Sequence, residues 1–121
     1  MFKRKKQQNV EPPAAEHAVI ARYQLSDDEF GGVEERESFF TLEDGLIGAI
    51  EAAGAGELDG HEFGGGEAVI YMYGPDGDRL FACVEGILRS HGSRPATCTV
   101  RYGAAGDPAV RQRIVDLRAA D

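Results

Sequence analysis

The stretch from Glu57 to His91 constrains the fold of this chain more than any other. It contains two alternating segments, ELDGHEF and EAVIYMYG, on either side of Gly64-Gly65-Gly66. Glycine supplies the positive φ angles of tight turns, so this pattern predicts a β-hairpin. Gly74-Pro75-Asp76 ends the second strand, and apolar residues then recur at helical spacing from Leu80 to Leu88. The stretch therefore predicts two strands followed by a helix over 77–91.

Segments on both sides extend this order of strands and helices. HAVIARYQL (17–25) and ATCTVRYG (96–103) alternate as half-buried strands. TLEDGLIGAIEAAG (41–54) predicts a helix, which 33–40 can extend towards the N-terminus. Gly45 and Gly48 in this helix predict its close approach to the sheet, because glycine otherwise costs about 1 kcal/mol there. Residues 108–118 fit a short helix and an edge strand equally well.

The resulting order, β-α-β-β-α-β, predicts an α+β fold of the ferredoxin-like sandwich type. In that fold an antiparallel sheet carries two helices on one face, with the C-terminal residues added as an extra strand or short helix. Residues 1–16 are expected to form a disordered basic tail, and 17–118 a single α+β domain. The sheet residues expected to face the helices are Val19, Ala21, Ala68, Ile70, Met72, Cys98 and Val100.

The opposite, open face of the sheet is where such a fold offers a binding site. Alternation places on it a mixed set of side chains, namely Arg22, Val69, Tyr71, Tyr73, Thr99 and Arg101. Tyrosine and arginine are enriched at protein interfaces, and they also stack on or pair with anionic ligands. We expect this face to support a homodimer, to bind a protein or small molecule, or to be partly covered by the C-terminal segment.

Charge is distributed unevenly along the chain. The net charge is −8, but every lysine lies beside Arg4 within the first six residues, so the remainder carries about −12. A field of this sign repels phosphate backbones and argues against a nucleic-acid partner. The segment 26–37 lacks the ligand order of a calcium loop, and it predicts a surface for a basic protein partner through Asp27, Asp28, Glu29, Glu34, Glu35 and Glu37.

One strand invites a metal-site interpretation. Glu57, Asp59 and His61 occupy alternate positions, so a regular strand would place all three on one face, where they could ligate a metal. A charged edge strand that blocks aggregation explains them more simply, and we predict no metal site. Cys83 and Cys98 lack metal or redox spacing and are expected to be reduced and buried. His17 and His91 are expected to be structural or surface residues.

Other catalytic signatures are missing from the sequence. No serine or cysteine has a convincing general base, and neither glycine-rich segment matches a phosphate-binding loop. We therefore predict no catalytic residues and no cofactor. The basic N-terminus is not followed by an apolar segment, and no apolar run is long enough to cross a bilayer. These observations predict a cytoplasmic protein without a membrane span.

Four segments carry a family resemblance: LSDDEFG (25–31), DGHEFGGGEA (59–68), YMYGPD (71–76) and VRYG (100–103). They resemble a family of small uncharacterised bacterial proteins, and the resemblance covers nearly all of the chain after the tail. It implies a compact domain with this strand–helix order and favours a C-terminal strand ending in IVDL. It implies no activity.

The sequence leads to two functional hypotheses. The first is a non-enzymatic protein-interaction module (an adaptor, inhibitor or immunity-type protein) whose acidic surface binds a basic partner. The alternative is a small-molecule-binding or catalytic domain that uses the open sheet face and is dimeric.

Overall fold

The described part of the chain folds into two helices and five strands. The computed structural model describes residues 16–103 and 107–117. Its elements are β1 (His17–Gln24), α1 (Val33–Ala53), β2 (Glu57–Gly64), β3 (Glu67–Gly74), α2 (Gly77–Ser90), β4 (Ala96–Arg101) and β5 (Gln112–Asp116). The predicted basic tail lies outside the described residues, apart from Glu16.

The five strands form one antiparallel sheet in the order β2-β3-β1-β4-β5. Strand β1 is central and pairs with both β3 and β4. The ambiguous C-terminal segment is a strand, with Thr97 opposite Asp116 and Arg101 opposite Gln112. The predicted element order and α+β class are confirmed, and the alternative of a C-terminal helix is wrong.

Both helices pack against one face of this sheet. The seven sheet residues expected to face the helices are all buried, which confirms the predicted alternation. They join one hydrophobic cluster whose helical members include Phe39, Leu46, Ile50, Leu80, Val84 and Leu88. Tyr23 lies within this cluster and donates a buried hydrogen bond of 2.6 Å to the Leu88 carbonyl, which links β1 to the end of α2.

Helix α1 includes the whole of the possible N-terminal extension. It begins at Val33, so the segment 33–40 is part of the helix. Gly32 occupies the N-cap position without a side-chain hydrogen bond. Glu35 instead accepts hydrogen bonds from the Ser26 N–H and Oγ (2.9 and 2.8 Å), which fixes the preceding loop to the first turn.

The glycines inside α1 do not approach the sheet. A Cβ added at Gly45 would lie 3.6 Å from Ile87 of α2, and one at Gly48 would have no neighbour within 4 Å. The expectation that both glycines pack against the sheet is therefore wrong. Gly54 ends α1 in the left-handed conformation, with φ 61°.

Helix α2 has the predicted start and a slightly shorter end. Asp76 caps it by accepting the Arg79 N–H at 3.1 Å. The helix ends at Ser90, and His91 already has extended backbone geometry. Within the described residues, neither helix has the length and apolar character needed to cross a membrane.

Candidate functional site

Backbone pairing places all six residues that alternation assigned to the open face on that face, although Val69 is only 5% exposed there. Backbone pairing aligns Tyr71 with Ile20, Ile20 with Thr99, and Thr99 with Ile114, so one row of side chains crosses four strands. The same pairing places Val69 beside Arg22 in a second row and Tyr73 in line with Arg101 in a third. The centre of this face is thus largely apolar and aromatic, with charged residues on either side.

Polar groups on the open face are engaged with neighbouring strands. Arg22 lies 3.6 Å from the Glu67 carboxylate, and the Tyr71 hydroxyl donates to Glu62 at 2.9 Å. Burial, together with the hydrogen bond to Glu62, raises the pKa of Tyr71. Arg101 donates to the Gln112 side chain at 2.7 Å and so ties β4 to β5. These contacts engage the polar groups of the face with one another, and Tyr71 and Tyr73 between them are half-buried.

Two surface cavities meet at Arg22 and Glu67. One, of about 410 Å³, is also lined by Thr97 and by Asp27 and Asp28 of the acidic loop. The other, of about 460 Å³, extends towards β2 and is lined by Glu62, Phe63, Gly64 and Val69. Both volumes fall within the range of small-molecule sites. The predicted binding face and the predicted acidic surface therefore share a border, which their sequence separation does not reveal.

The acidic loop is held in place by the β2–β3 turn. The Leu25 N–H donates to the Gly66 carbonyl at 2.8 Å, and the Gly66 N–H donates to the Glu29 carbonyl at 2.9 Å. Gly66 has a φ of 83°, and a Cβ there would lie 3.2 Å from Asp28 Cα, so this close contact requires glycine. The position of the loop therefore depends on the hairpin as well as on α1.

The six acidic residues of 26–37 divide into two groups. Asp27 accepts the backbone N–H groups of Glu29 and Gly31 (2.9 and 3.0 Å), and Glu35 accepts from Ser26. These two carboxylates shape the loop. The other four have exposed side chains that can meet a partner: Asp28, Glu29, Glu34 and Glu37.

The strand with the metal candidates is not regular. A register shift between Leu58 and Gly60 leaves Glu57 opposite Tyr73 and His61 opposite Ile70. Because Tyr73 is on the open face and Ile70 faces the helices, Glu57 and His61 point to opposite sides of the sheet. In the described part of the chain, no three His, Cys, Asp or Glu side chains are grouped so as to hold a metal ion. The expectation of one shared face is wrong because of this bulge.

His61 instead pairs with a buried carboxylate of α1. Its Nδ1 lies 2.7 and 3.0 Å from the two oxygens of Glu43, which is only 8% exposed. Burial raises the pKa of Glu43, while the hydrogen bond with His61 acts in the opposite direction. Sequence pattern alone does not identify this partner, although Glu43 lies on the buried stripe, four residues after Phe39 and three before Leu46.

The remaining candidate residues have structural roles. Burial raises the pKa of the Cys98 thiol to about 12 and also raises that of Cys83, so neither is a thiolate at neutral pH. Both cysteines are free, as predicted, but only Cys98 is buried; the expectation that Cys83 is also buried is wrong, because it lies half-buried at the border of the core. His17 Nδ1 accepts the Gly77 N–H at 2.8 Å at the start of α2, and the His91 ring stacks on Phe39 at 4.1 Å. The structural interpretation of both histidines is confirmed.

Comparison of the chain with models of protein families, with curated proteins and with solved structures found no match. The resemblance to small bacterial proteins stays a prediction, and the functional argument depends on the geometry of this chain.

Proposed function

We propose that this protein is a non-enzymatic interaction module that binds a basic protein partner through an acidic surface at one end of the sheet. This surface consists of the loop 26–32 and the first turns of α1. The observation that carries the proposal is that Asp28, Glu29, Glu34 and Glu37 are exposed and lie close in sequence to two exposed apolar side chains, Phe30 and Val33.

Apolar anchors surrounded by charge suit protein recognition better than ion binding. Phe30 is 59% exposed and Val33 is 61% exposed, so each can enter a pocket on a partner. The carboxylates around them favour lysine and arginine on that partner and accelerate its approach. The net charge of about −12 on the residues outside the basic N-terminus also attracts a basic partner.

Capture from native lysate with immobilised protein tests this proposal. We expect proteins that bind the wild type at about 50 mM salt and more weakly at about 150 mM, because screening shortens the reach of the acidic surface. Glu29→Lys/Glu34→Lys should abolish their capture. Asp59→Lys/Asp116→Lys changes the net charge equally at exposed positions away from this surface and should retain it. Equal capture by both double variants, or no capture by the wild type at either salt concentration, contradicts the proposal.

The alternative function, binding or conversion of a small molecule on the open sheet face, is favoured by the two cavities that meet at Arg22. A bound ligand raises the melting temperature by mass action. A thermal-shift screen with metabolites and metal ions, repeated on Arg22→Ala, measures this effect. A shift that disappears in Arg22→Ala supports the alternative, and a screen without any shift contradicts it. Light scattering then determines whether the protein is dimeric in solution, as this alternative expects.

We also infer that β1, α1, β2, β3, α2 and β4 form a ferredoxin-like sandwich, with β5 added beside β4. Support comes from the strand order, in which β1 lies between β3 and β4 and β2 is at the edge. The common cluster formed by both helices is consistent with right-handed crossovers on one face.

A further inference from the structure

The outer surface of α1 carries three large apolar side chains at intervals of seven residues. Val33, Phe40 and Ile47 are 61%, 43% and 38% exposed. Glu37 and Asp44, both exposed, lie four residues after Val33 and Phe40. At 3.6 residues per turn these five positions fall in a strip about 80° wide and about 21 Å long. We call these five residues the outer stripe of α1.

The residues of the outer stripe are not part of the hydrophobic core. Helix α1 already buries Phe39, Leu46 and Ile50 on its other side. The Phe40 ring is only partly covered. Its centroid lies 5.3 Å from the ring centroid of His61 and 5.9 Å from that of Phe63 of β2. The apolar surface therefore continues from the stripe onto the edge of the sheet, and contiguous exposed apolar surface of this kind marks interaction sites.

The charges of the stripe determine what can cover it. Both of its charged members are acidic, and Glu34 and Glu51 on the same helix are acidic and exposed too. A second copy of α1 would bring carboxylates against carboxylates, which is unfavourable at close range. A helix with lysine or arginine between its apolar residues would instead match both features of the stripe.

We propose that the outer stripe of α1 binds an amphipathic, basic helix of a protein partner. This inference rests on the proposed function and adds to it the structure of the partner and an extension of the contact surface along α1, from Val33 and Glu37 to Ile47. A helix of about two to three heptads covers three anchors spaced by seven residues when the two axes cross at about 20°. Phe40, at the centre and supported by His61 and Phe63, is then the residue that contributes most to affinity.

A labelled synthetic peptide provides a direct probe. It contains three heptads with leucine at the positions that face the stripe and lysine between them. A second peptide of the same composition, with the heptad spacing scrambled, is the control. Fluorescence anisotropy at about 150 mM salt limits purely electrostatic binding. We expect the heptad peptide to bind wild-type protein at least tenfold more tightly than the scrambled one. Equal affinities overturn the inference.

Variants locate the binding surface. Phe40→Ala should weaken binding of the heptad peptide by tenfold or more, and Ile47→Gln should weaken it by several-fold. Ile114→Ala removes an even more exposed apolar side chain from β5 (64% exposed) and should leave the affinity unchanged. Unchanged affinity in both Phe40→Ala and Ile47→Gln overturns the inference, and thermal melts verify that each variant is folded.

The same variants separate this inference from the proposed function. If Glu29→Lys/Glu34→Lys abolishes lysate capture but Phe40→Ala and Ile47→Gln do not affect it, the acidic surface binds the partner and the stripe does not. If none of these changes affects capture, both proposals fail. If capture is lost in the acidic-surface variant and also in the stripe variants, the result supports both proposals.

Discussion

The two helices share one core but differ on their outer surfaces. Exposed positions of α2 hold charged or small residues, namely Asp78, Arg79, Ala82, Gly86 and Ser90. Exposed positions of α1 include Val33, Phe40 and Ile47. In the described residues, every large apolar side chain exposed on a helix belongs to α1. Helix α2 thus has a single apolar side, whereas α1 has two.

This difference distinguishes the apolar helix residues that folding requires from those that it does not require. One apolar stripe per helix is enough to close a core against a sheet. The inner residues of α1 and α2 already do so, with Phe39, Leu46, Leu80 and Leu88 all buried. The second apolar side of α1 therefore contributes little to the monomer and is available to a partner.

The largest expected effect distinguishes the two sides of α1 through two adjacent phenylalanines. Phe39 is 1% exposed and Phe40 is 43% exposed. Phe39→Ala should lower the free energy of unfolding by about 3–5 kcal/mol, because it removes a core ring and leaves a cavity. Phe40→Ala should lower it by about 1 kcal/mol or less. Urea unfolding measures both, and similar losses would show that both sides of α1 belong to the core.

The next effect concerns the polar contact on the inner side of each helix. Tyr23→Phe removes the donor to the Leu88 carbonyl at the end of α2, and that carbonyl has no access to water as a substitute. We expect a loss of about 1–3 kcal/mol. Glu43→Gln keeps a hydrogen-bonding group beside His61, which is itself partly exposed, and should cost less. A larger loss of stability in Glu43→Gln than in Tyr23→Phe would show that the polar contact of α1 contributes more to stability than that of α2.

A smaller, pH-dependent effect lies where the helices meet. His91, just after α2, accepts the Ser93 N–H on Nδ1 (3.1 Å), and its Nε2 lies 2.9 Å from Ser38 Oγ of α1. Ser38 donates to the Glu35 carbonyl, so its oxygen accepts from Nε2–H and the ring is neutral. Burial and then the nearby Arg94 lower the pKa of His91.

The sign of the pH dependence follows from this lowered pKa. Between the lowered value and the ordinary histidine pKa of about 6.5, the unfolded chain binds more protons than the folded one. Stability from His91 is therefore complete above about pH 6.5 and is lost as the pH falls through the lowered pKa. Urea unfolding at several pH values should show that the wild type loses more stability on acidification than His91→Gln. Parallel curves would contradict this assignment.

Local pattern predicted the sheet better than it predicted α1. Alternation located Val19, Ile70 and Cys98 on the core side because one-sided burial repeats every two residues in a strand. The same rule failed at Asp59, since a bulge shifts the register without changing the local sequence pattern. The choice between strand and helix for Gln112–Asp116 depended on pairing with the edge of β4, which is a long-range contact.

The candidate surfaces were predictable to a different extent. Subtraction of the core residues correctly placed Tyr71 and Arg101 on the open face. Phe39 and Phe40 are adjacent, and each fits a different helical stripe. Spacing alone does not show which stripe is buried, so it does not reveal that α1 has a second, exposed apolar side. The contact between Glu43 and His61, and the border between the acidic loop and Arg22, depend on tertiary packing. No local pattern encodes them.

The smallest expected effect concerns two matched glycines, one on the outer surface of each helix. A Cβ at Gly48 of α1 or Gly86 of α2 would have no neighbour within 4 Å, so neither glycine is required for packing. Gly48→Ala and Gly86→Ala should each raise the free energy of unfolding by about 0.5–1 kcal/mol, because alanine loses less conformational freedom in a helix. Urea unfolding measures both changes. Equal gains would show that the monomer constrains neither outer surface, which leaves recognition outside the monomer to account for the apolar residues of α1. A loss at Gly48 alone would show that α1 is constrained there within the monomer.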